Sequence, residues 1–194
     1  YLGLTFGQPQ IAAINKTQWA AVFGNGYNST NEDAVLYIVD LSNGTLIARI
    51  RTFSAPSTST SPANGLSTPY PFDSDGDGIV DAIYAGDLYG NLWKFEKNNT
   101  LIDSTDLTSG TWVLGNGGNP VFTTPRVSGQ VTQTITTQPN AKLIDGKVMI
   151  YFGTGSYLVA SDLADDHVQT FYGVWDDPAT TSTVSRADML AQTL

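Results

Sequence analysis

Runs of apolar residues closed by glycine alternate with polar turns along the whole chain. Trp19-Ala-Ala-Val-Phe-Gly-Asn-Gly26 is apolar on both faces and ends in glycines, which predicts a strand buried on both sides and entering a turn. Ala34-Val-Leu-Tyr-Ile-Val-Asp-Leu41 is β-branched and aromatic, Ser42-Asn-Gly-Thr45 reads as a hairpin, and Leu46-Ile-Ala-Arg-Ile-Arg-Thr52 alternates as a half-exposed strand does. Val80–Asp87 predicts another strand. Leu88-Tyr-Gly-Asn91 turns the chain into Leu92–Lys97, where Trp93 and Phe95 face one way and Lys94 and Glu96 the other. Lys147–Gly155 repeats the buried design, with Thr170–Asp176 as its partner. Gln10–Ile14, Trp112–Leu114, Thr123–Val127 and Gln130–Thr136 are weaker strand signals. Ser185 with Asp188 has capping-box spacing and predicts a short C-terminal helix.

Set side by side, Ala-Val-Phe-Gly-Asn-Gly26, Ala-Ile-Tyr-Ala-Gly-Asp87 and Ile-Tyr-Phe-Gly-Thr-Gly155 occupy one place in a repeat. Strands 34–41, 91–97 and 170–176 occupy the next. The unit recurs after roughly 60–67 residues, against about 40–50 for a plain propeller blade. Long loops at about 53–72 and 127–142 account for the excess. A buried strand followed by an alternating one suits a propeller, whose inner strands lie between neighbouring blades. The expected fold is all-β: a partial β-propeller of about three antiparallel blades, with residues 1–194 a fragment of a single propeller domain. The competing architecture is a twisted sandwich of three hairpin-rich sheets.

Before the second unit stands Asp73-Ser-Asp75-Gly-Asp77-Gly78-Ile79-Val-Asp81, whose spacing follows the first nine positions of an EF-hand-type calcium loop. Asp73, Asp75 and Asp77 take ligand positions one, three and five. Gly78 makes the sharp turn, Ile79 offers its carbonyl and Asp81 takes position nine. Ca²⁺ takes about six to eight oxygens, and alternate residues of a tight loop can all point inward. Position twelve is Tyr84 rather than Glu, so Asp81 is expected to take over the bidentate role. The flanks are not helical, because two prolines interrupt Ser67-Thr-Pro-Tyr-Pro71. The plain alternative is a solvated acidic turn.

Composition narrows the functional classes. A net charge of −9 with no basic stripe argues against nucleic acid as a partner. Cysteine is absent, which removes disulfides and thiolate metal sites. His167 is the single histidine, so the Asp162…Asp165-Asp166-His167 cluster is expected to be a solvated loop, not a zinc site. No apolar run is long enough for a helical membrane span. No serine-hydrolase elbow or P-loop occurs, and no catalytic residue is assigned. The four glycosylation-type sequons, at Asn15, Asn28, Asn43 and Asn98, are read as chance. The start at Tyr1 and the stop at Leu194 lead to the expectation of a piece of a longer exported protein.

Several stretches resemble the C-terminal propeller of the PilY/PilC family of type IV pilus tip and biogenesis proteins. They are Phe6-Gly-Gln-Pro9, Val22–Tyr27, Leu36–Asp40, Asp73–Asp81, Tyr84–Trp93, Tyr151–Leu158 and Gln169–Gly173. The resemblance covers the chain nearly end to end and in order. It implies a non-enzymatic, calcium-binding module at the bacterial outer membrane or pilus tip. Asp73, Asp75, Asp77, Ile79 and Asp81 would be the ligands, with minor pilins and a host surface as partners. Calcium would then control pilus extension and retraction, and with them twitching motility and adhesion. The Arg-Gly-Asp motif of some relatives is absent, so integrin binding is not carried over. Ala85-x-Asp87-x-x-Gly90-x-x-Trp93 also resembles the tryptophan-docking pattern of quinoprotein propellers. A fragment of a pyrroloquinoline-quinone dehydrogenase is therefore the alternative from another class, and a scaffold with a purely structural ion is a third. In each, Trp93 is expected to fill a blade interface.

Overall fold

The computed structural model describes residues 2–31, 33–52, 63–97, 112–127, 130–131 and 133–190. Three antiparallel sheets follow one another along the chain. The first holds β1 (Gln10–Asn15), β2 (Gln18–Gly24), β3 (Val35–Asp40) and β4 (Leu46–Arg51) in sequential order. The second holds β5 (Tyr70–Phe72), β6 (Ala82–Gly86), β7 (Asn91–Lys97) and β8 (Trp112–Leu114), with β9 (Phe122–Thr123) also on β7. β10 (Arg126–Val127) and β11 (Gln130–Val131) form a small ribbon. The third sheet is β12 (Asn140–Ile144), β13 (Lys147–Gly153) and β14 (Phe171–Asp176). This is the expected all-β, blade-by-blade architecture.

Two apolar cores lie between the sheets. Ala20, Val22, Leu36 and Ile38 of the first sheet meet Ile83, Ala85, Trp93 and Phe95 of the second. Tyr84 and Leu92, on the opposite face of the second sheet, meet Ile150, Phe152, Tyr172 and Val174 of the third. The second sheet is therefore covered on both sides, and all five residues of β6 are buried. That is why its sequence reads as a continuous apolar run. Trp93 fills the first seam, as expected, and is 3 % exposed.

Glycines 24 and 86 do more than end strands. A Cβ on Gly24 would lie 2.4 Å from the Leu66 carbonyl oxygen, and one on Gly86 2.2 Å from Ile135 Cγ2 and 2.7 Å from the Ile135 oxygen. Leu66 and Ile135 belong to the connections entering the second and third sheets, and each is fully buried. Only a residue without a side chain lets these connections sit on the strand ends. Gly86→Ala is expected to cost about 1–3 kcal/mol by overpacking, and urea denaturation of the variant against the wild type checks this.

Three expectations need amendment. Tyr70–Phe72, at the end of the expected loop 53–72, is a strand; Pro71 is tolerated because β5 is an edge strand paired only with β6. Residues 53–62 of that loop, and 98–111 with the Asn98 sequon, lie outside the described residues. The expected loop 127–142 contains β11 and the start of β12, which pairs with β13 from Asn140↔Tyr151 to Ile144↔Lys147. At the C-terminus, Ser185 N–H and Oγ–H both donate to Asp188 Oδ2, at 2.9 and 2.7 Å, but the arrangement holds only the 3₁₀ turn Arg186–Asp188. Met189 is already extended, and residues 191–194 lie outside the described residues.

Candidate metal loop and the seams it adjoins

The acidic loop joins β5 to β6. Gly76 and Gly78 both adopt left-handed backbone, with φ of 81° and 84°, which curls the segment tightly. Carboxylate oxygens of Asp73, Asp75 and Asp77 come within 4.8 Å of one another. Backbone N–H groups hold them in place. Asp73 Oδ1 accepts from Gly76 N–H and Oδ2 from Gly78 N–H, both at 2.7 Å. Asp75 Oδ1 accepts from Asp77 N–H at 3.1 Å, and Asp77 Oδ1 from Ile79 N–H at 2.8 Å. The Gly78 and Gly76 N–H groups hold the Asp73 carboxyl below the usual carboxylate range.

Asp81 stands outside this trio. Its Oδ2 accepts from Ser74 N–H at 2.8 Å and from Ser74 Oγ–H at 2.5 Å. Ser74 is the residue that sequence reasoning missed. A hydroxyl at loop position two, between two acidic ligand positions, was the available signal. Tyr84, at position twelve, is unavailable to the loop because its hydroxyl donates to Asp176 at 2.7 Å inside the second core.

The base of the loop is tied to two sheets. Asp81 N–H donates to the Phe72 carbonyl at 2.9 Å, closing the loop within the second sheet. Val80 N–H donates to the Ala13 carbonyl of β1 at 2.9 Å, and the Val80 side chain is buried in the first core. The loop thus sits on the seam between the first and second sheets.

At the turn end of β6 the same seam holds a fully buried carboxylate. Asp87 Oδ1 accepts from the N–H groups of Tyr89 and Asn91, each at 2.9 Å. Oδ2 accepts from Trp93 Nε1–H at 2.8 Å, Asn91 Nδ2–H at 2.9 Å and Asn64 Nδ2–H at 3.1 Å. Burial pushes the Asp87 carboxyl up, against the pull of these donors. Its carbonyl accepts from Ile135 N–H at 3.0 Å, which brings in the third sheet's connection. Asn25 is its counterpart in the first sheet, accepting from the N–H groups of Val35 and Leu66, both at 3.0 Å. The tryptophan-docking residues are thus engaged in holding blades together. The other acidic cluster, Asp165, Asp166 and His167, is exposed, with His167 Nδ1 on Asp165.

Comparisons with known proteins agree with this architecture. A family model described as the PilY1 beta-propeller domain matches residues 1–194. The chain is 35 % identical over its whole length to the type IV pilus biogenesis factor PilY1 of Pseudomonas aeruginosa strain UCBPP-PA14, of which it spans 18 %. It is 40 % identical, over 90 % of its length, to a PilY1 homolog of Xylella fastidiosa, of which it spans 12 %. The crystal structure of the Pseudomonas aeruginosa PilY1 C-terminal domain superposes with a TM-score of 0.78 at 31 % identity, covering 95 % of this chain and 40 % of that one. Matched by the family model over residues 1–194 and by the solved domain over 95 % of its length, the chain belongs to the PilY1 β-propeller family.

Proposed function

We propose that this chain is a calcium-binding, non-enzymatic propeller module of a surface-exposed type IV pilus biogenesis factor. The proposed partners are pilus components, the minor pilins among them, and a host surface. The observation that carries the metal assignment is the convergence of Asp73, Asp75 and Asp77 oxygens within 4.8 Å on a loop already curled by two left-handed glycines. The donor set fits a hard cation. Each carboxylate oxygen has lone pairs beyond those its backbone donors use, and all the candidates are oxygens. Asp73, Asp75, Asp77 and the Ile79 carbonyl would hold the ion, with Asp81 joining from its place on Ser74. A bound Ca²⁺ supplies the positive charge that offsets repulsion among the crowded carboxylates.

The chain's own contacts suggest what an ordered loop does. Val80 and Asp81 fasten its exit to the first and second sheets, so fixing the loop fixes the seam. The pilus role rests on the PilY1 relatives. Control of extension and retraction, twitching motility and adhesion are the proposed outputs.

Calorimetric titration with Ca²⁺ tests the metal site. One equivalent should bind to the wild type and none to Asp75→Ala/Asp77→Ala, and Asp81→Ala should lose the specific heat as well. Ca²⁺ at 100 times its dissociation constant should stabilise the wild type by about 2.7 kcal/mol. Undiminished heat in the double variant would remove the metal assignment. Twitching of a strain carrying the double variant separates regulation from scaffolding, since normal motility with lost calcium binding leaves the ion a structural role only.

A further inference from the structure

The connection that follows the glycine-ended strand differs among the three sheets. In the second sheet it is 87–90, and none of its residues is exposed. In the first it spans 25–34, and the side chains it exposes among the described residues are Asn28, Thr30 and Asn31. In the third it spans 154–170 and turns apolar residues outward: Tyr157 is 77 % exposed, Val159 61 %, Leu163 71 % and Val168 82 %. Tyr157, Val159 and Leu163, with Leu158 and Ala160, line an open hollow of about 190 Å³, room for one large apolar side chain. Apolar residues grouped on a long surface loop mark an interaction surface.

The loop is built to hold these residues in place. Asp162 Oδ2 accepts from Ser156 Oγ–H at 2.8 Å, Leu158 N–H at 2.6 Å and Val159 N–H at 3.2 Å, which fixes the 3₁₀ turn Ala160–Ala164. At the base, Thr154 N–H donates to the Thr170 carbonyl at 3.0 Å and Thr170 N–H to Thr154 Oγ1 at 2.9 Å. Gln133, which is buried, donates from Nε2 to the Val168 carbonyl at 2.9 Å. A surface fixed before binding loses little conformational freedom when a partner arrives.

Charge selects the occupant. Asp165 and Asp166 stand exposed just beyond Leu163, and the whole chain carries a net charge of −9. A second copy would bring the same acidic charge, and an anionic lipid surface would meet both carboxylates. A segment with basic side chains beside an apolar one is drawn to the acidic rim and fills the hollow. We infer that the 154–170 loop is a docking surface for a polypeptide segment of another protein. That segment places one aliphatic or aromatic side chain in the hollow and Lys or Arg against Asp165 and Asp166. The surface lies on the third sheet and is independent of the calcium assignment.

Selection of short random peptides displayed on phage, against the protein as its gene encodes it, tests this. Enriched peptides should join an aliphatic or aromatic residue to Lys or Arg close by in sequence. In fluorescence polarisation they should bind Val159→Ser/Leu163→Ser at least about ten-fold more weakly than the wild type. Asp165→Lys/Asp166→Lys should lose them to a similar degree and, in the same selection, enrich peptides bearing Asp or Glu instead. All four positions are exposed, so both variants should keep the wild-type melting temperature. No enrichment, enriched peptides without basic residues, or equal binding by the variants would overturn the proposal. Three other occupants would overturn it equally: a dimer in light scattering that Leu163→Ser dissolves, phosphatidylglycerol vesicles bound through Leu163, or the protein's own chain, shown by a Leu163→Cys that a maleimide cannot reach.

Discussion

Replacing Asp87 by alanine is expected to destabilise the fold by about 3–5 kcal/mol, because buried donors left without an acceptor cost about 1–3 kcal/mol each. Five N–H groups converge on this carboxylate, three of them from the buried side chains of Trp93, Asn64 and Asn91. Asp87→Asn keeps the shape but places an amide N–H among donors, so it should recover only part of the loss. Chemical denaturation of both, with Trp93→Phe in a double-mutant cycle, isolates the Trp93–Asp87 bond. The sign of the pH dependence follows from burial. The folded-state carboxyl lies above its unfolded value, so Asp87's contribution is most favourable below the ordinary aspartate range and falls as pH rises through the raised value. The stability difference between wild type and Asp87→Asn should therefore shrink from acid towards neutral pH.

Asp176→Ala should loosen the second seam by about 2–4 kcal/mol, because it strands two polar groups at once. Asp176 Oδ2 accepts from the Tyr84 hydroxyl at 2.7 Å and pairs with Lys94 Nζ at 3.0 Å, linking β14 to β6 and β7 across the second and third sheets. Burial, and then Asp176, push the Tyr84 phenol far up, so it stays a neutral donor. Burial alone would pull Lys94 down, but Asp176 and Glu96 outweigh it and hold the ammonium above its ordinary value. This contribution is intact at neutral pH and is lost only as pH climbs through the raised lysine value. Tyr84→Phe should cost about 1 kcal/mol, the scale of one hydrogen bond. Asp176→Asn should fall between the two. Thermal melts at pH 7 order the three variants.

Both networks matter for the calcium proposal because the acidic loop is mounted on the sheets they join. Its exit is bonded to Ala13 of the first sheet and Phe72 of the second. Six residues after Asp81 lies Asp87, the hub of the first seam. A seam weakened at Asp87 should therefore weaken Ca²⁺ binding without touching a ligand.

The tight curl at 73–81 was legible because it is local: alternate carboxylates and positive-φ glycines act within nine residues, and oxygens of Asp73, Asp75 and Asp77 lie within 4.8 Å of one another. The second-strand glycines and their apolar runs were legible for a similar reason, since burial on both faces leaves a continuous hydrophobic signature. β12 was not. Asn140-Ala-Lys-Leu-Ile144 is an edge strand that buries little beyond Ala141, so the hydrophobic pattern that marks a strand is missing. Pro71 hid β5 in the same way.

What the chain determined by itself is therefore the inventory: all-β units in a repeat, a turn-rich acidic loop of calcium spacing, and a tryptophan placed to fill a seam. Only the tertiary structure decided which partners those residues meet. Ser74 takes Asp81, Ala13 takes Val80, and Tyr84 leaves loop position twelve for Asp176, 92 residues away. Such choices depend on how sheets stack, and stacking brings together residues whose separation along the chain carries no pattern. The glycines show the same division. As residues they announce strand ends, but only the packed sheets reveal that Leu66 and Ile135 fill the space of two of them and leave the third open.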